Sequence, residues 1–385
     1  MSRPTGWVRI FAVLLVLALA AFLAGAQKNT IKVGAILAVT GPASNLGAPE
    51  AKTLQMLVDQ TNAAGGLLGR KVELVLKDSG ASPEKALSFA RQLIEEEQVL
   101  AILGPSTSGE SLKIKDACEE GQTILLSCAA AEAIVNPVSK WVFKTPQNDA
   151  FATLWIYRYL KERGLTRIGV VASNTGFGNG GMAQLEKYAP ENGIQILIAE
   201  AYDKDATDLT SVLTKLKARD VQAVVNWSIE PAQSLVAKNL RQLGMKVPLL
   251  QSHGFGNIRY VQAAGQAAEG IVFPCGRLLI ADELPDGHPQ KALLEDYKRK
   301  YESRFGEEVS TFGGHAYDAY TILAEAVRRA ESVEPAKVRD AIENLKGFAG
   351  TAGVFNFSPS DHNGLDMSSF EMLTVKDGKF TLLKP

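Results

Sequence analysis

The sequence predicts an α/β protein of two lobes, each a doubly wound parallel sheet, joined by a hinge. Short β-branched runs alternate with amphipathic helical patterns, as βαβ units require. That alternation breaks off near Trp141-Val142-Phe143-Lys144 and then starts again. The chain has 385 residues, more than the roughly 250–300 that one hydrophobic core organises.

The first element is a leader. Arg3 and Arg9 precede the apolar run from Ile10 to Leu23, and Ala24-Gly25-Ala26 supplies the small residues that signal peptidase accepts. The run is short of the roughly 20 residues that span a bilayer, so residues 1–26 read as a signal peptide cleaved before Gln27. A lipoprotein would carry Cys where Ala26 stands. The expected product is therefore periplasmic, secreted and free of a lipid anchor. Removing Arg3 and Arg9 from the 41 basic residues leaves 39 against 42 acidic ones, a net charge of about −3. That balance offers no surplus for a polyanion, so nucleic acid is not an expected partner.

In the first half, strands are expected at 31–37, 71–77, 99–103 and 123–127. After Pro83, residues Ala86, Phe89, Ala90, Leu93 and Ile94 recur at three and four, marking the face of a helix that covers the sheet. Ser82 is its cap and Pro83 its first residue. The second half repeats the scheme with strands near 167–172, 195–201, 222–227, 248–252 and 271–274. Helices follow at about 289–304, 313–331 and 335–345, and Asp377-Gly378 closes a terminal hairpin. Short crossings near 145–149 and 275–279 form the hinge. Residues 27–146 with 277–356 make the first lobe, and 147–276 with 357–385 the second.

Cys118, Cys128 and Cys275 are an odd set. A Cys118–Cys128 bridge stays open, but apolar neighbours favour three buried thiols. The four histidines have no metal-ligand spacing, and no metal or cofactor is expected.

Ligands of open α/β sheets bind at the carboxyl ends of the strands, so the loops there are the candidates. Gly104-Pro105-Ser106-Thr107-Ser108-Gly109-Glu110 has the glycines of a phosphate loop, but Glu110 stands where the phosphate-binding Lys is needed. Its hydroxyls and helix N-terminus suit a carboxylate; the plainer reading makes Ser108 the helix cap. Gly176-Phe177-Gly178-Asn179-Gly180-Gly181 spells a dinucleotide fingerprint, with Glu200 near the ribose position. Three residues intervene before the first glycine and the leader exports the chain, so a flexible turn presenting Phe177 to a cleft is preferred to an exported NAD-dependent oxidoreductase. There is no Gly-x-Ser-x-Gly elbow, and the protein reads as no enzyme. His315 and Asp318 are expected to bond to each other on their helix.

Thr40-Gly41-Pro42-Ala43 through Gly47, the stretch Asn62 to Arg70, the Gly104-Pro105 to Ser108-Gly109 loop, Phe143-Lys144-Thr145 and Ala268-Glu269-Gly270 resemble the leucine/isoleucine/valine-binding proteins of bacterial ABC importers. The resemblance covers nearly the whole chain after the leader. It implies a type I periplasmic binding protein fold, a monomer that closes on a small carboxylate-bearing ligand and docks on ABC permease subunits, and no catalysis. It further implies that Ser108, Thr107 and the backbone of Ala129 and Ala130 hold the carboxylate. Leu46 stands where the family has a side-chain-pocket Tyr. Phe177, Trp227, Glu230 and His253 would close from the second lobe. Amino-acid binders of this type carry a carboxylate where this chain has His253, and a hydroxyl at Ala131. Two ligands therefore stay open: a branched-chain amino acid, with Glu230 as the anion, or an aromatic or other acid lacking an α-amino group. A sensor lobe would use the same fold.

Overall fold

The computed structural model describes residues 30–384; the predicted leader and its cleavage point lie outside them. The first sheet is built from β1 (Thr30–Leu37), β2 (Lys71–Asp78), β3 (Ala101–Leu103), β4 (Ile124–Ser127) and β5 (Val142–Lys144). Its order is β2-β1-β3-β4-β5 and every pairing is parallel. Side chains on a strand alternate between faces, and each face of this sheet has its own core. Val33, Ala35, Leu103, Ile124 and Leu126 pack with Leu54, Leu57, Ile322 and Leu323. Ile36, Ile102 and Leu125 pack on the opposite side with Ala86, Ala90, Leu93, Ile114 and Cys118. The helices supplying these faces are α1 (Ser44–Ala63), α2 (Pro83–Arg91) and α3 (Ser108–Glu120). As expected, the Ser82 side chain caps α2 and Pro83 opens it.

The second lobe begins with α4 (Asp149–Glu162), β6 (Arg167–Ser173), α5 (Gly176–Tyr188) and β7 (Gln195–Tyr202). It continues through α6 (Thr210–Lys217), β8 (Ala223–Trp227), α7 (Ala232–Gln242), β9 (Leu249–Gln251), α8 (Ile258–Ala264) and β10 (Val272–Cys275). Then come α9 (Lys291–Phe305), α10 (Thr311–Ala330), α11 (Pro335–Glu343), the short pair β11 (Phe348–Ala349) and β12 (Val354–Phe355), and the hairpin β13 (Glu371–Lys376) and β14 (Lys379–Leu382). The second sheet runs β14-β13-β10-β9-β8-β6-β7. Its hairpin turns on Asp377 and Gly378, both at positive φ, the backbone that a tight two-residue turn needs.

Within α10 the chain returns to the first lobe: Ile322, Val338, Phe357 and Leu365 belong to the core on the first sheet, whereas Leu278, Leu294 and Tyr301 before them pack in the other cluster. Phe370 and Leu373 belong to the second-lobe core. On this packing we propose that the last lobe boundary lies between Leu365 and Phe370, not at 356 and 357. Cys118, Cys128 and Cys275 are all buried free thiols.

The lobes are closed on each other. One apolar cluster runs across the cleft, joining Leu46, Met56 and Ala130 to Phe177 and Trp227. Gln184 Nε2 donates to Glu132 Oε2 at 2.6 Å, and Asn257 Nδ2 donates to the Asn45 carbonyl at 2.9 Å.

Candidate functional site

The first-lobe wall is made by the loops that leave β3 and β4. Gly104 has a φ of +90°, and a Cβ there would sit 2.3 Å from the Ile36 carbonyl oxygen, so the turn requires glycine. Ser106 Oγ accepts from the Ala38 amide at 3.0 Å and donates to Glu50. Burial pushes the Glu50 carboxyl up to about 8 against the opposing pull of that serine. The cap of α3 is Thr107, whose hydroxyl accepts from the Glu110 amide and donates to Glu110 Oε2 at 2.6 Å. The plainer sequence reading is thus corrected by one residue. Ser108 is the first helical residue, and its Oγ accepts from the Ala131 amide at 3.2 Å, leaving its own proton to donate.

Beyond β4, the Ala129 amide donates to Ser127 Oγ at 3.1 Å. Behind this loop lies Lys144, fully buried, whose Nζ donates to the carbonyls of Ala130, Pro146 and Gln147 at 2.7, 3.3 and 3.4 Å. Burial lowers its pKa while Asp149 nearby raises it. Burial likewise raises the pKa of Asp149, the first residue of α4, against the pull of Lys144.

The second-lobe wall is aromatic. His253 meets Phe177, Trp227 and Phe370 edge-on, with ring centroids 5.4, 5.7 and 5.6 Å away. Burial holds its pKa well below the ordinary value, and Lys144 and His315 push the same way; the ring is neutral at neutral pH. Its Nε2 lies 3.5 Å from Asp149 Oδ1. Both ring nitrogens of His253, both carboxyl oxygens of Asp149 and Nδ1 of His315 are buried with no hydrogen-bond partner. Such orphans cost about 1–3 kcal/mol each.

These walls enclose two chambers. The inner one, about 20 Å³, is lined by Ser106, Ser108, Ala129, Ala130, His253 and His315, among others, and holds about one water molecule. The outer one, about 210 Å³, lies towards the mouth and touches Thr107, Gly176, Lys204 and Glu230. Phe177 and Ile229 border both.

The structure gathers the sequence candidates around this cleft, with changes of role. Ser108, Ala129, Ala130, Phe177 and His253 line the inner chamber. Thr107 and Glu230 line the outer one. Trp227 is fully buried against the rings of Phe177 and His253, and Leu46 sits in the apolar cluster that crosses the cleft. Glu230 Oε2 accepts from Ser228 Oγ at 2.7 Å and from the Ile229 amide at 3.2 Å.

The fingerprint at 176–181 is no flexible turn. It is the start of α5, capped by Thr175. Cβ atoms at Gly178 and Gly181 would lie 1.9 Å from the Ser173 carbonyl oxygen and 2.2 Å from the Trp227 ring. The glycines serve helix-on-sheet packing, and Glu200 is paired with Lys215 at 2.8 Å. Nor does Asp318 bond His315: it accepts from the amides of Thr351 and Ala352 and from the Thr351 hydroxyl, which leaves His315 at the cleft. The sequence reading missed His315 for that reason. Asp149 was missed because an acidic residue in a helix's first turn is ordinary helix chemistry.

Two hinged α/β lobes closed on a polar cleft define a solute-binding protein. The chain belongs to the periplasmic binding protein family, whose model matches residues 30–379. It is 26% identical over 336 residues, 87% of each chain, to the leucine-, isoleucine-, valine-, threonine- and alanine-binding protein of Pseudomonas aeruginosa. An extracellular ligand-binding receptor from Rhodopseudomonas palustris superposes with a TM-score of 0.87 at 29% identity, covering 92% of this chain and 99% of that one. The branched-chain amino acid transporter substrate-binding protein of Streptococcus pneumoniae, solved with isoleucine, gives 0.80 at 25%, covering 92% and 100%. These relatives are binding proteins, not enzymes.

Proposed function

We propose that this protein is the periplasmic, lipid-free solute receptor of an ABC importer, which captures a small carboxylate-bearing ligand between its lobes as a monomer and presents the loaded, closed form to the membrane permease. The observation that carries the reading is the set of buried polar atoms without protein partners around the inner chamber. The Ser108 hydroxyl and the Ala129–Ala130 backbone form its anion-facing side, and the Lys144 ammonium behind Ala130 adds positive potential at that loop. A ligand that binds the closed form more tightly than the open one shifts the population towards closure. No bond is made or broken.

The Pseudomonas aeruginosa relative is named for leucine, isoleucine, valine, threonine and alanine, and the Streptococcus pneumoniae protein was solved with isoleucine, but the second wall favours an acid with no α-amino group. Its imidazole is neutral, Glu230 lines the outer chamber and not the inner one, and Asp149 does not line the inner chamber. A buried ammonium without an anionic partner costs several kcal/mol. Calorimetry of the chain from Gln27 onward should give low-micromolar or tighter binding of benzoate-type acids and none of leucine. Tight leucine binding alone would overturn the choice of acid, and unchanged affinity in Ser108→Ala would overturn the carboxylate site.

A further inference from the structure

We infer that the solute is an elongated organic monocarboxylate whose uncharged, apolar body passes Phe177 and fills the outer chamber, reaching beyond the length of a branched-chain amino acid. The inference rests on the proposed carboxylate site and adds the size and polarity of what is attached to it.

The first argument is volume. Ligand pockets are commonly about 300–1,000 Å³. The inner chamber, at about 20 Å³, is far too small to hold an organic solute, whereas the outer one adds about 210 Å³. Only Phe177 and Ile229 border both, so a change of the Phe177 rotamer joins them. The cleft then runs from Ser108 to the mouth.

The second argument is the contrast in polarity. Around the inner chamber His253 and His315 are left without partners. Around the outer chamber several polar side chains already have protein partners. Thr107 and Thr175 cap their helices, Lys204 is paired with Asp205, and Glu230 is held by Ser228 and Ile229. Beside the Asn174 side chain, what remains to meet a ligand there is apolar: Pro42, Ala81 and Pro83 from the first lobe, Phe177 and Ile229 from the second. A hydrocarbon or aryl body would gain roughly 25 cal/mol for each Å² it removes from water.

The test is calorimetry of the chain from Gln27 onward with benzoate, phenylacetate, 3-phenylpropanoate and 4-phenylbutanoate, on the unaltered protein and on Ala81→Trp, which fills the outer chamber from the first lobe. Affinity should rise at least tenfold along the series. Ala81→Trp should abolish that gain, weakening 4-phenylbutanoate at least tenfold more than benzoate. Asn174→Trp fills the same chamber from the second lobe and gives the same readout should the first variant fail to fold. An affinity that is flat or falls with chain length, or a tryptophan that weakens every acid equally, overturns the inference while the carboxylate site stands. Absence of binding by every acid, with Ser108→Ala indistinguishable from the unaltered protein, overturns the carboxylate reading itself.

Discussion

Two glycine-bearing turns face each other across the cleft, one leading from β3 into α3 and the other from β6 into α5. Each follows a buried strand, carries a threonine cap and opens a helix of 13 residues. The glycines in them do different work. Gly104 is set by its backbone, with positive φ and a carbonyl against it. Gly178 and Gly181 have helical backbones and are glycine because a strand carbonyl and the Trp227 ring leave no room for a Cβ. The turns also rest on unlike supports. Ser106 leans on the buried carboxyl of Glu50, whereas α5 leans on an indole. A glycine pattern therefore reports close approach, and what approaches decides its meaning: here the Ser173 carbonyl stands against Gly178, where a dinucleotide reading needs room for a pyrophosphate.

The largest effect should come from breaking the aromatic support. In Gly181→Val the added carbons overlap Trp227, and overpacking typically costs about 1–3 kcal/mol, sometimes more. We expect urea unfolding to show a loss at or above the top of that range, with the second lobe melting first. A loss under about 1 kcal/mol would mean that α5 stands off the sheet.

Next in size is the carboxyl support. Glu50 titrates near 8 in the folded chain against 4.5 ordinarily. The acid form is favoured by folding, so its contribution is complete below about pH 4.5 and is lost as the pH rises through about 8. Each unit in that window costs on the order of 1 kcal/mol. The stability difference between the unaltered protein and Glu50→Gln should therefore shift steadily in favour of the variant from pH 5 to 8. A difference that does not change with pH would show that Glu50 is ionised in the fold.

Much of this architecture is legible in the sequence because it rests on periodicity. Val33, Ala35, Ile36, Leu125 and Leu126 alternate between two cores, and the pattern survives translation into strands with boundaries shifted by a residue or two. The cleft is less legible. Ser108, Phe177 and His253 are found by following strand ends and the family resemblance, but roles around the cleft depend on which neighbour takes each hydrogen bond. Thr107 takes the cap and frees Ser108. Thr351 and Ala352, more than thirty residues on, take Asp318 away from His315. Glu230 Oε2 accepts from Ser228 and the Ile229 amide, bonds that spacing alone does not reveal. Spacing describes the chain's own neighbours; competition for hydrogen bonds is settled by tertiary packing.

The smallest expected effects lie where the two turns touch, and they are the most informative about closure. A Cβ built on Gly176 would stand 2.7 Å from the Gly109 amide nitrogen and 2.8 Å from its Cα, both in the opposite lobe. A Cβ built on Gly109 meets the Gly176 nitrogen at 3.9 Å, ordinary contact. The same contact is thus asymmetric. The three atoms nearest the Cβ built on Gly176 all belong to the opposite turn, so Gly176→Val should leave the unfolding midpoint unchanged while disfavouring the closed lobes. A penalty of about 1.4 kcal/mol on closure weakens any solute that selects the closed form tenfold. Gly109→Ala should bind within twofold of the unaltered protein. Small-angle scattering reads the same contrast without a ligand: the radius of gyration should grow in Gly176→Val and stay fixed in Gly109→Ala. Equal behaviour of the two variants would show that the turns do not meet in solution.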